Sequence, residues 1–254
     1  MASDASALAD LLRPAHRVLL FTGAGISTGS GIRDYRGPQG VWNTRAPVDY
    51  GDFMANESAR VAYWEEKAEA WDSFRLAEPN AAHLAAVRLE RADRLEALVT
   101  QNIDGLHDRA GTSPERLIEI HGTNTAVECQ TCKQRSDPAA AYASFAETGV
   151  APRCDRCGGF LKPATISFGQ SLVEDDLRRS AVAAEETDLV ISLGSTLSVH
   201  PAASIPLLAA RRGVPYAIIN RGATEQDHRN EVTLRIEGDV TEVFPAAVEA
   251  ALAG

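Results

Sequence analysis

Residues 18–27 read VLLFTGAGIS, an apolar run that ends abruptly in glycines and small hydroxyl residues. A short apolar run bounded by glycine is typical of a buried strand. Gly23-Ala24-Gly25 would then form a tight turn whose backbone amides can approach a pyrophosphate at the start of a helix. Taken alone, the motif is equally consistent with a turn that binds nothing, because Thr28 stands where the third glycine of the dinucleotide fingerprint is expected.

The rest of the chain alternates between apolar runs and longer helix-like segments. This alternation predicts an α/β domain with a doubly wound parallel sheet covered on both faces. The predicted strands are 17–22, 95–100, 188–194, 215–220 and 232–238, and the predicted helices are 56–76, 79–91, 171–186, 200–212 and 241–253.

Four of these strands run directly into small or polar residues. The sequences at their ends are TGAGIS (22–27), TQNIDG (100–105), LGSTLS (193–198) and INRG (219–222). In an open parallel sheet the ligand lies in the crevice beyond the carboxyl ends of the strands. We therefore expect these four ends to face one crevice.

Composition excludes several classes of partner. The chain has 254 residues and a formal net charge of −10, which argues against general binding of nucleic acid, because a protein that neutralises many phosphates needs a basic face. No apolar run reaches the roughly 18 residues of a membrane helix, and the opening residues do not resemble a secretory signal. We expect a cytoplasmic protein without a membrane partner, in a compartment where cysteines bind metal more often than they form disulfides.

The four cysteines form two C-x-x-C pairs, Cys129/Cys132 and Cys154/Cys157. Paired thiolates of this kind suit tetrahedral Zn²⁺, although the 21 residues between the pairs lie just beyond the usual window. With no further ligand nearby, the site should be closed and structural. Buried apolar cysteines or a redox pair are the alternatives.

Polar residues after the second strand are candidates for chemistry. Gln101, Asn102 and Asp104 could hold a carboxamide, a ribose hydroxyl or a water, while Asp104 could instead cap the following helix. His121 ends a short apolar segment, and its imidazole suits proton transfer at neutral pH, although a lone histidine at a turn is more often structural. Trp42 and Asn43 stand about 20 residues after the glycine turn, where a dehydrogenase has an acidic residue for the ribose, so hydride transfer is poorly supported.

The order and spacing of these motifs resemble those of the sirtuins. The resemblance rests on GAGIS followed by GIRDYRG, then TQNIDGLH, the His121-Gly122 pair, the two C-x-x-C pairs and LGSTLSVHP, and it covers residues 7–250. It implies a Rossmann-like domain at 1–122 and 169–254 and a small zinc-ribbon module at 123–168 that ends in a peptide-binding segment. Residues 34–60 would form a flexible cofactor-binding loop and the helical part of the small domain, and 34–55 carries no clear helix or strand pattern.

The resemblance also implies the roles of individual residues. His121, Asn102 and Asp104 would be catalytic; Cys129, Cys132, Cys154 and Cys157 would bind Zn²⁺; Ile166, Phe168 and Gly169 would contact the substrate. NAD would contact Gly23, Ala24, Gly25, Ser27, Asp34, Tyr35, Arg36, Trp42, Gln101, Asn102, Ile103, Asp104, Gly194, Ser195, Thr196, Asn220, Arg221 and Val240.

The implied function is that of an NAD-dependent protein-lysine deacylase. The acyl oxygen of the substrate would attack the anomeric carbon, nicotinamide would leave, and His121 would take a ribose hydroxyl proton, so that O-acyl-ADP-ribose forms. The alternatives are a mono-ADP-ribosyltransferase that uses the same pocket and, more remotely, a non-catalytic NAD or ADP-ribose sensor. Acyl-lysine proteins are the expected partners of a monomer or weak oligomer.

Several residues depart from the sirtuin pattern. Arg33 replaces the usual proline, Tyr35 the usual phenylalanine and Gln170 a common glutamate, and Gly194-Ser195-Thr196 replaces Gly-Thr-Ser. Sirtuins that remove acidic acyl groups carry Tyr-x-x-Arg before the PNAAH motif, whereas Tyr63 is followed by Glu66 here. An acidic acyl group is therefore disfavoured, since a carboxylate buried without a cation is costly.

Overall fold

The six-stranded sheet at the centre of the structure is entirely parallel and is confirmed as Rossmann-like. This computed structural model describes residues 2–34 and 46–253. The strands are β1 (Val18–Thr22), β2 (Leu95–Thr100), β3 (Leu117–Glu119), β7 (Leu189–Leu193), β8 (Tyr216–Asn220) and β9 (Leu234–Glu237). Their order is β3-β2-β1-β7-β8-β9, and every adjacent pair is parallel.

This order reverses between β1 and β7. From β1, the strands β2 and β3 extend the sheet to one side; on the other side of β1 lie β7, β8 and β9 in that order. Open α/β sheets bind ligands at such a switch point. The glycine turn after β1 and Gly194 after β7 therefore meet at the position where a crevice is expected.

Helices cover both faces of the sheet. On one face α1 (Ala2–Leu12), α4 (Ala81–Arg91) and α9 (Val240–Leu252) pack in a core that includes Leu20, Leu98 and Phe244. On the other face α7 (Glu174–Glu186) and α8 (Ile205–Ala210) pack in a core that includes Phe21 and Ile218. All five residues of β1 are buried, because both faces of the strand are covered.

A second, antiparallel sheet has the order β5-β4-β6 and lies beside the first. Its strands are β4 (Gly122–Cys129), β5 (Arg135–Ser136) and β6 (Leu161–Thr165), and α6 (Pro138–Thr148) connects β5 to the second cysteine pair. Asp137 caps α6 by accepting a hydrogen bond from the Ala139 amide, and Pro138 occupies the first turn.

Two helices from earlier in the chain share an apolar core with this second sheet. They are α2 (Tyr50–Ala55) and α3 (Glu57–Leu76). Phe53 and Trp64 from these helices pack with Val127 of β4 and Tyr142 of α6. Residues 34–55 show no helix pattern in the sequence and are expected to form a loop, so α2 is a correction. Asp49 caps it through the Gly51 amide, and the buried Phe53 anchors it.

A short helix, α5 (Leu106–Ala110), follows β2. Among residues 2–34 and 46–253, no helix is both long and apolar enough to cross a membrane.

Candidate active site

The glycine turn after β1 packs directly against the end of β7. The Gly25 amide donates to the Gly194 carbonyl at 2.8 Å, and the Gly23 amide donates to the Leu193 carbonyl at 3.0 Å. A Cβ atom on Gly25 would lie 2.7 Å from Gly194 Cα, so a side chain at position 25 would collide with backbone. An added Cβ on Gly23 would likewise lie 2.8 Å from the Gly194 carbonyl oxygen, so the close packing of the turn against Gly194 requires glycine at positions 23 and 25.

Asn102 follows β2 and is held by the glycine turn. Its side-chain nitrogen donates to the Gly23 carbonyl at 3.2 Å and to Ser27 Oγ at 3.0 Å. Its main-chain amide donates to Thr100 Oγ1 at 3.0 Å. Because both amide hydrogens are used, the acceptor oxygen Oδ1 is the group that Asn102 can offer to a ligand.

Gln101 connects the same strand end to β7. Its side-chain nitrogen donates to Ser195 Oγ at 2.8 Å and to the Thr22 carbonyl at 3.2 Å. The ends of β1, β2 and β7 are thus joined by side-chain hydrogen bonds.

Asp104 and Ser27 lie one layer behind the cavity wall. Asp104 accepts from Ser27 Oγ at 2.7 Å and from the Leu106 amide at 2.9 Å, which fixes the start of α5. Burial raises the pKa of Asp104 above its usual value, while these two hydrogen bonds oppose the rise. The N-cap residue of α5 is Gly105, so Asp104 contacts the first turn of the helix from the position before the cap.

His121 lies beside Gln101 at the start of β4. Its ring nitrogen Nδ1 is 3.1 Å from the Gln101 carbonyl oxygen. Since a carbonyl can only accept, Nδ1 carries the proton of the neutral ring and Nε2 carries the lone pair. The His121 carbonyl accepts from the Ile166 amide at 2.8 Å, so the same residue fixes the start of segment 166–170.

One cavity of about 1140 Å³ brings these features together. The glycine turn, the ends of β2, β7 and β8, His121 and segment 166–170 all line it. The predicted residues on its wall are Gly23, Ala24, Gly25, Asp34, Gln101, Asn102, Ile103, His121, Ile166, Phe168, Gly169, Gly194, Ser195, Thr196, Asn220, Arg221 and Val240. Among the described residues predicted to contact NAD or substrate, Ser27 and Asp104 are the two that do not line the cavity. Tyr35, Arg36 and Trp42 lie outside the described residues.

One end of the cavity is formed by α3, which the prediction of site residues omitted. Tyr63, Glu66 and Lys67 line the cavity there, and Lys67 Nζ lies 3.0 Å from Glu66 Oε1. The hydroxyl of Tyr63 hydrogen-bonds Thr165 Oγ1 at 3.1 Å. Glu66 and Lys67 follow Tyr63 by three and four positions, which places the three side chains on one face of the helix. This spacing is the sequence signal that could have identified Glu66 and Lys67 as residues of the cavity wall.

The four cysteines form a cluster whose ligand atoms all lie within 4.8 Å of one another. Cys129 Sγ is 3.5 Å from Cys157 Sγ, and Cys132 Sγ is 3.8 Å from Cys154 Sγ. Tetrahedral Zn²⁺ with Zn–S bonds of about 2.3 Å requires sulfur–sulfur separations of about 3.8 Å. Four soft donors with this spacing fit a closed structural zinc site.

The matched family model, described as the Sir2 family, covers residues 23–201. That range contains the glycine turn, Asn102, His121 and all four cysteines. The chain belongs to the Sir2 family. The resemblance to sirtuins drawn from the motifs is confirmed.

Curated Sir2 relatives match along almost their whole length. An NAD-dependent protein deacetylase of Rhodopseudomonas palustris is 39% identical over 235 residues, which cover 92% of this chain and 93% of that protein. An NAD-dependent protein deacetylase of Haloarcula marismortui is 37% identical over 247 residues, or 96% of this chain and 93% of that protein.

Solved Sir2 structures match the fold closely. One, from work on the mechanism and regulation of Sir2 enzymes, superposes with a TM-score of 0.86 at 35% identity and covers 100% of this chain and 99% of its own. A Sir2 complex with a p53 peptide and NAD⁺ superposes with a TM-score of 0.84 at 34% identity, covering 96% and 97% of the two chains.

Proposed function

We propose that this Sir2-family chain is an NAD-dependent protein-lysine deacetylase that releases nicotinamide and O-acyl-ADP-ribose. The observation that carries the proposal is that the glycine turn, Asn102, His121 and segment 166–170 all line the same cavity. Such a cavity can hold a dinucleotide at the switch point of the sheet and an acyl-lysine side chain beside it. Relatives named NAD-dependent protein deacetylase match 92% and 96% of this chain.

In this proposal each residue acts through a stated atom. The acyl oxygen of the substrate attacks the anomeric carbon of the nicotinamide ribose, and nicotinamide leaves. Nε2 of His121 then accepts a proton from a ribose hydroxyl, which allows the sugar oxygen to attack the carbon of the resulting imidate. Water adds to the same carbon, its bond to the lysine nitrogen breaks, and the lysine amine leaves while the acyl group stays on the sugar. Asn102 Oδ1 orients a ribose hydroxyl or a water, so catalysis depends on positioning and proton transfer.

Asp104 has a different place in this scheme from that of Asn102. Both of its carboxylate oxygens already accept protein hydrogen bonds. We propose that it acts mainly by holding the loop 101–105 and Ser27 in place. A contact with the nicotinamide carboxamide would require one of these two bonds to be exchanged.

The bound zinc would be held by Cys129, Cys132, Cys154 and Cys157, and it would stabilise the small sheet. Zinc closed by four thiolates leaves no position for substrate. Segment 166–170 would bind the substrate peptide through backbone pairing, which is largely independent of the peptide sequence.

We further propose that the protein acts in the cytoplasm as a monomer or weak oligomer. The convergence of its four thiols on one cluster supports a reducing compartment, because thiols that bind metal must remain reduced. Size-exclusion chromatography with light scattering at several protein concentrations tests the oligomeric state.

The test of the proposed activity follows nicotinamide, acetyl-lysine peptide and ADP-ribose products in one reaction. Wild-type protein with NAD and the peptide should release nicotinamide only when the peptide is present, and His121→Ala should abolish turnover. Transfer of labelled ADP-ribose to protein would support the ADP-ribosyltransferase alternative. Binding of NAD without turnover would support the sensor.

A further inference from the structure

Two histidines that the proposed reaction does not use lie in contact behind the cavity. His83 belongs to α4 and His107 to α5, and both side chains are almost completely buried. Their ring centroids are 4.7 Å apart. Within residues 2–34 and 46–253, His83 Nε2 and His107 Nδ1 have no hydrogen-bond partner. Buried polar atoms without partners are rare and call for an explanation.

The protonation of His107 follows from its neighbour Thr22. The Thr22 hydroxyl donates its only hydrogen to Thr100 Oγ1 at 2.8 Å. His107 Nε2 lies 3.1 Å from the same Thr22 oxygen, so Nε2 must be the donor of that hydrogen bond. The neutral His107 ring therefore carries its proton on Nε2 and a lone pair on Nδ1.

This hydrogen bond continues to the loop that carries Asn102. Thr100 Oγ1 accepts from the Thr22 hydroxyl and also from the Asn102 main-chain amide, at 3.0 Å. His107 is thus connected through two hydroxyl groups to the backbone of a residue on the cavity wall.

His83 is connected in the same way to the other side of the cavity. Its Nδ1 accepts from the Asn80 amide at 3.3 Å in the capping box of α4, so its proton lies on Nε2. The Asn80 side chain donates to the Ile26 carbonyl at 2.8 Å and to Ser30 Oγ at 2.9 Å. Both acceptors belong to the segment that follows the glycine turn.

The two unpartnered nitrogens are chemically complementary. His83 offers an N–H and His107 offers a lone pair. Burial lowers the pKa of His83 to about 4, and burial together with the neighbouring His83 ring lowers the pKa of His107 well below its usual value. Both rings are therefore neutral at physiological pH, which is the state in which a donor meets an acceptor.

We propose that His83 and His107 are positioning residues for the NAD reaction, in which the Nε2–H of His83 donates a hydrogen bond to Nδ1 of His107. The resulting link, from Asn80 through the two histidines and Thr22 to Thr100, ties the segment that follows the glycine turn to the strand end that carries Asn102. The ring centroids are 4.7 Å apart, and neither atom has a partner among the described residues in the orientation that the structure shows, so this hydrogen bond requires a rotation of the rings. The proposal rests on the proposed function, because Asn102 acts on the ribose only if that function is correct.

The link has a direct consequence for catalysis. The glycine turn follows β1 and Asn102 follows β2, so the two sides of the cavity belong to different strand ends. A group misplaced by a fraction of an ångström loses much of its effect on rate. Loss of the link should therefore lower kcat more than it changes the KM of the peptide, which binds to another wall.

The test uses three variants on the link and one matched control. Thr22→Val and His107→Leu remove the link, whereas His107→Gln retains an N–H that can donate to Thr22. Thr112→Val is the control, because Thr112 is equally buried beside α5 and its hydroxyl has no partner among the described residues. Kinetics with NAD and an acetyl-lysine peptide are measured well below each melting temperature.

We expect Thr22→Val and His107→Leu to lower kcat roughly tenfold, as loss of one positioning hydrogen bond allows, with the KM of the peptide unchanged. His107→Gln should recover most of the rate, and Thr112→Val should behave as wild type. Wild-type kcat in Thr22→Val and His107→Leu, with only a lower melting temperature, would overturn the proposal. So would a folded His107→Gln that is no faster than His107→Leu.

A second measurement separates this proposal from the proposed function. Ring ¹⁵N NMR of the wild-type protein should show both histidines as neutral Nε2–H tautomers, and the His107 Nδ1 signal should show a hydrogen bond that His83→Asn removes. Calorimetry should show weaker NAD binding in Thr22→Val. If the wild-type protein shows these NMR signals but no activity, the proposed deacetylase function is refuted while the link between the histidines stands. If the wild-type protein is active but His107 is the Nδ1–H tautomer, the link alone is refuted.

Discussion

Replacing Gly25 with alanine should damage both the fold and the use of NAD. The added Cβ would lie 2.7 Å from Gly194 Cα and 2.9 Å from the Gly194 carbonyl oxygen, whereas ordinary contact begins at 3.4 Å. The glycine turn and the end of β7 must therefore separate by about 0.7 Å, the difference between 2.7 and 3.4 Å. Both colliding atoms are backbone, so no side chain can rotate away.

The expected cost has two parts. Overpacking of this kind costs about 1–3 kcal/mol, and loss of the hydrogen bond between the Gly25 amide and the Gly194 carbonyl adds about 1 kcal/mol. A total of about 2–4 kcal/mol corresponds to a fall in Tm of roughly 4–16 °C for a chain of this size. Because the displaced turn is the proposed binding site of the pyrophosphate, kcat/KM for NAD should fall roughly 10- to 100-fold.

The assay compares Gly25→Ala with Gly51→Ala by thermal melting and by NAD-dependent peptide deacetylation. Gly51 lies in α2, and an added Cβ there would approach only the Asp49 side-chain oxygen, at 3.2 Å. Gly51→Ala should therefore melt and react almost as wild type. A Gly25→Ala protein with unchanged Tm and unchanged kcat/KM for NAD would refute the argument that close backbone contact builds this site.

Three further outcomes follow from the site and the metal cluster. Removal of zinc, by chelation or by Cys132→Ser, should unfold the small sheet because structural zinc supplies folding energy. Amide hydrogen exchange across residues 122–165 should then accelerate, and an unchanged exchange pattern would contradict this expectation. Folding lowers the pKa of His83 to about 4, so its contribution to stability is present above pH 6.5 and is lost as the pH falls. Between pH 7.5 and pH 5 the free energy of unfolding in urea should fall by about 2 kcal/mol more for wild type than for His83→Asn. An equal fall in the two proteins would count against this argument. Burial raises the pKa of Asp104, so its contribution to stability is present at low pH and is lost as the pH rises. The free energy of unfolding of Asp104→Asn relative to wild type should therefore increase from pH 4 to pH 8, and kcat of the variant should be roughly tenfold lower. A difference in unfolding free energy that does not change with pH would exclude this account.

Most of the main sheet could be predicted from sequence because β1, β2, β7 and β8 are almost completely buried apolar runs. The three-residue β3 is not predicted as a strand, because only its central residue is buried. The predicted strand 17–22 is β1 (Val18–Thr22), and the predicted strand 188–194 is β7 (Leu189–Leu193). The strands of the small sheet could not be predicted. β5 has two residues, both exposed, and β4 is held together by tertiary partners such as α3 rather than by a regular alternation of apolar and polar residues.

Other misses have the same origin in tertiary contacts. The stretch 50–55 forms α2 because Asp49 caps it and Phe53 packs under α3, neither of which shows as a period in six residues. For the site, the position of Gln101 and Asn102 at a strand end placed them near the glycine turn, and the resemblance to sirtuins placed His121 there. It could not show that Asp104 faces Ser27, or that His83 touches His107, because the partners lie 77 and 24 positions apart in the chain.

Product stoichiometry tests the central claim most directly. Mass spectrometry of a single reaction with NAD and an acetyl-lysine peptide measures nicotinamide, deacetylated peptide and O-acetyl-ADP-ribose together. Wild-type protein should form the three in equal amounts, and His121→Ala should form almost no deacetylated peptide or O-acetyl-ADP-ribose while remaining folded. Equal turnover in wild type and His121→Ala, or nicotinamide release that leaves the peptide acetylated, would contradict the account.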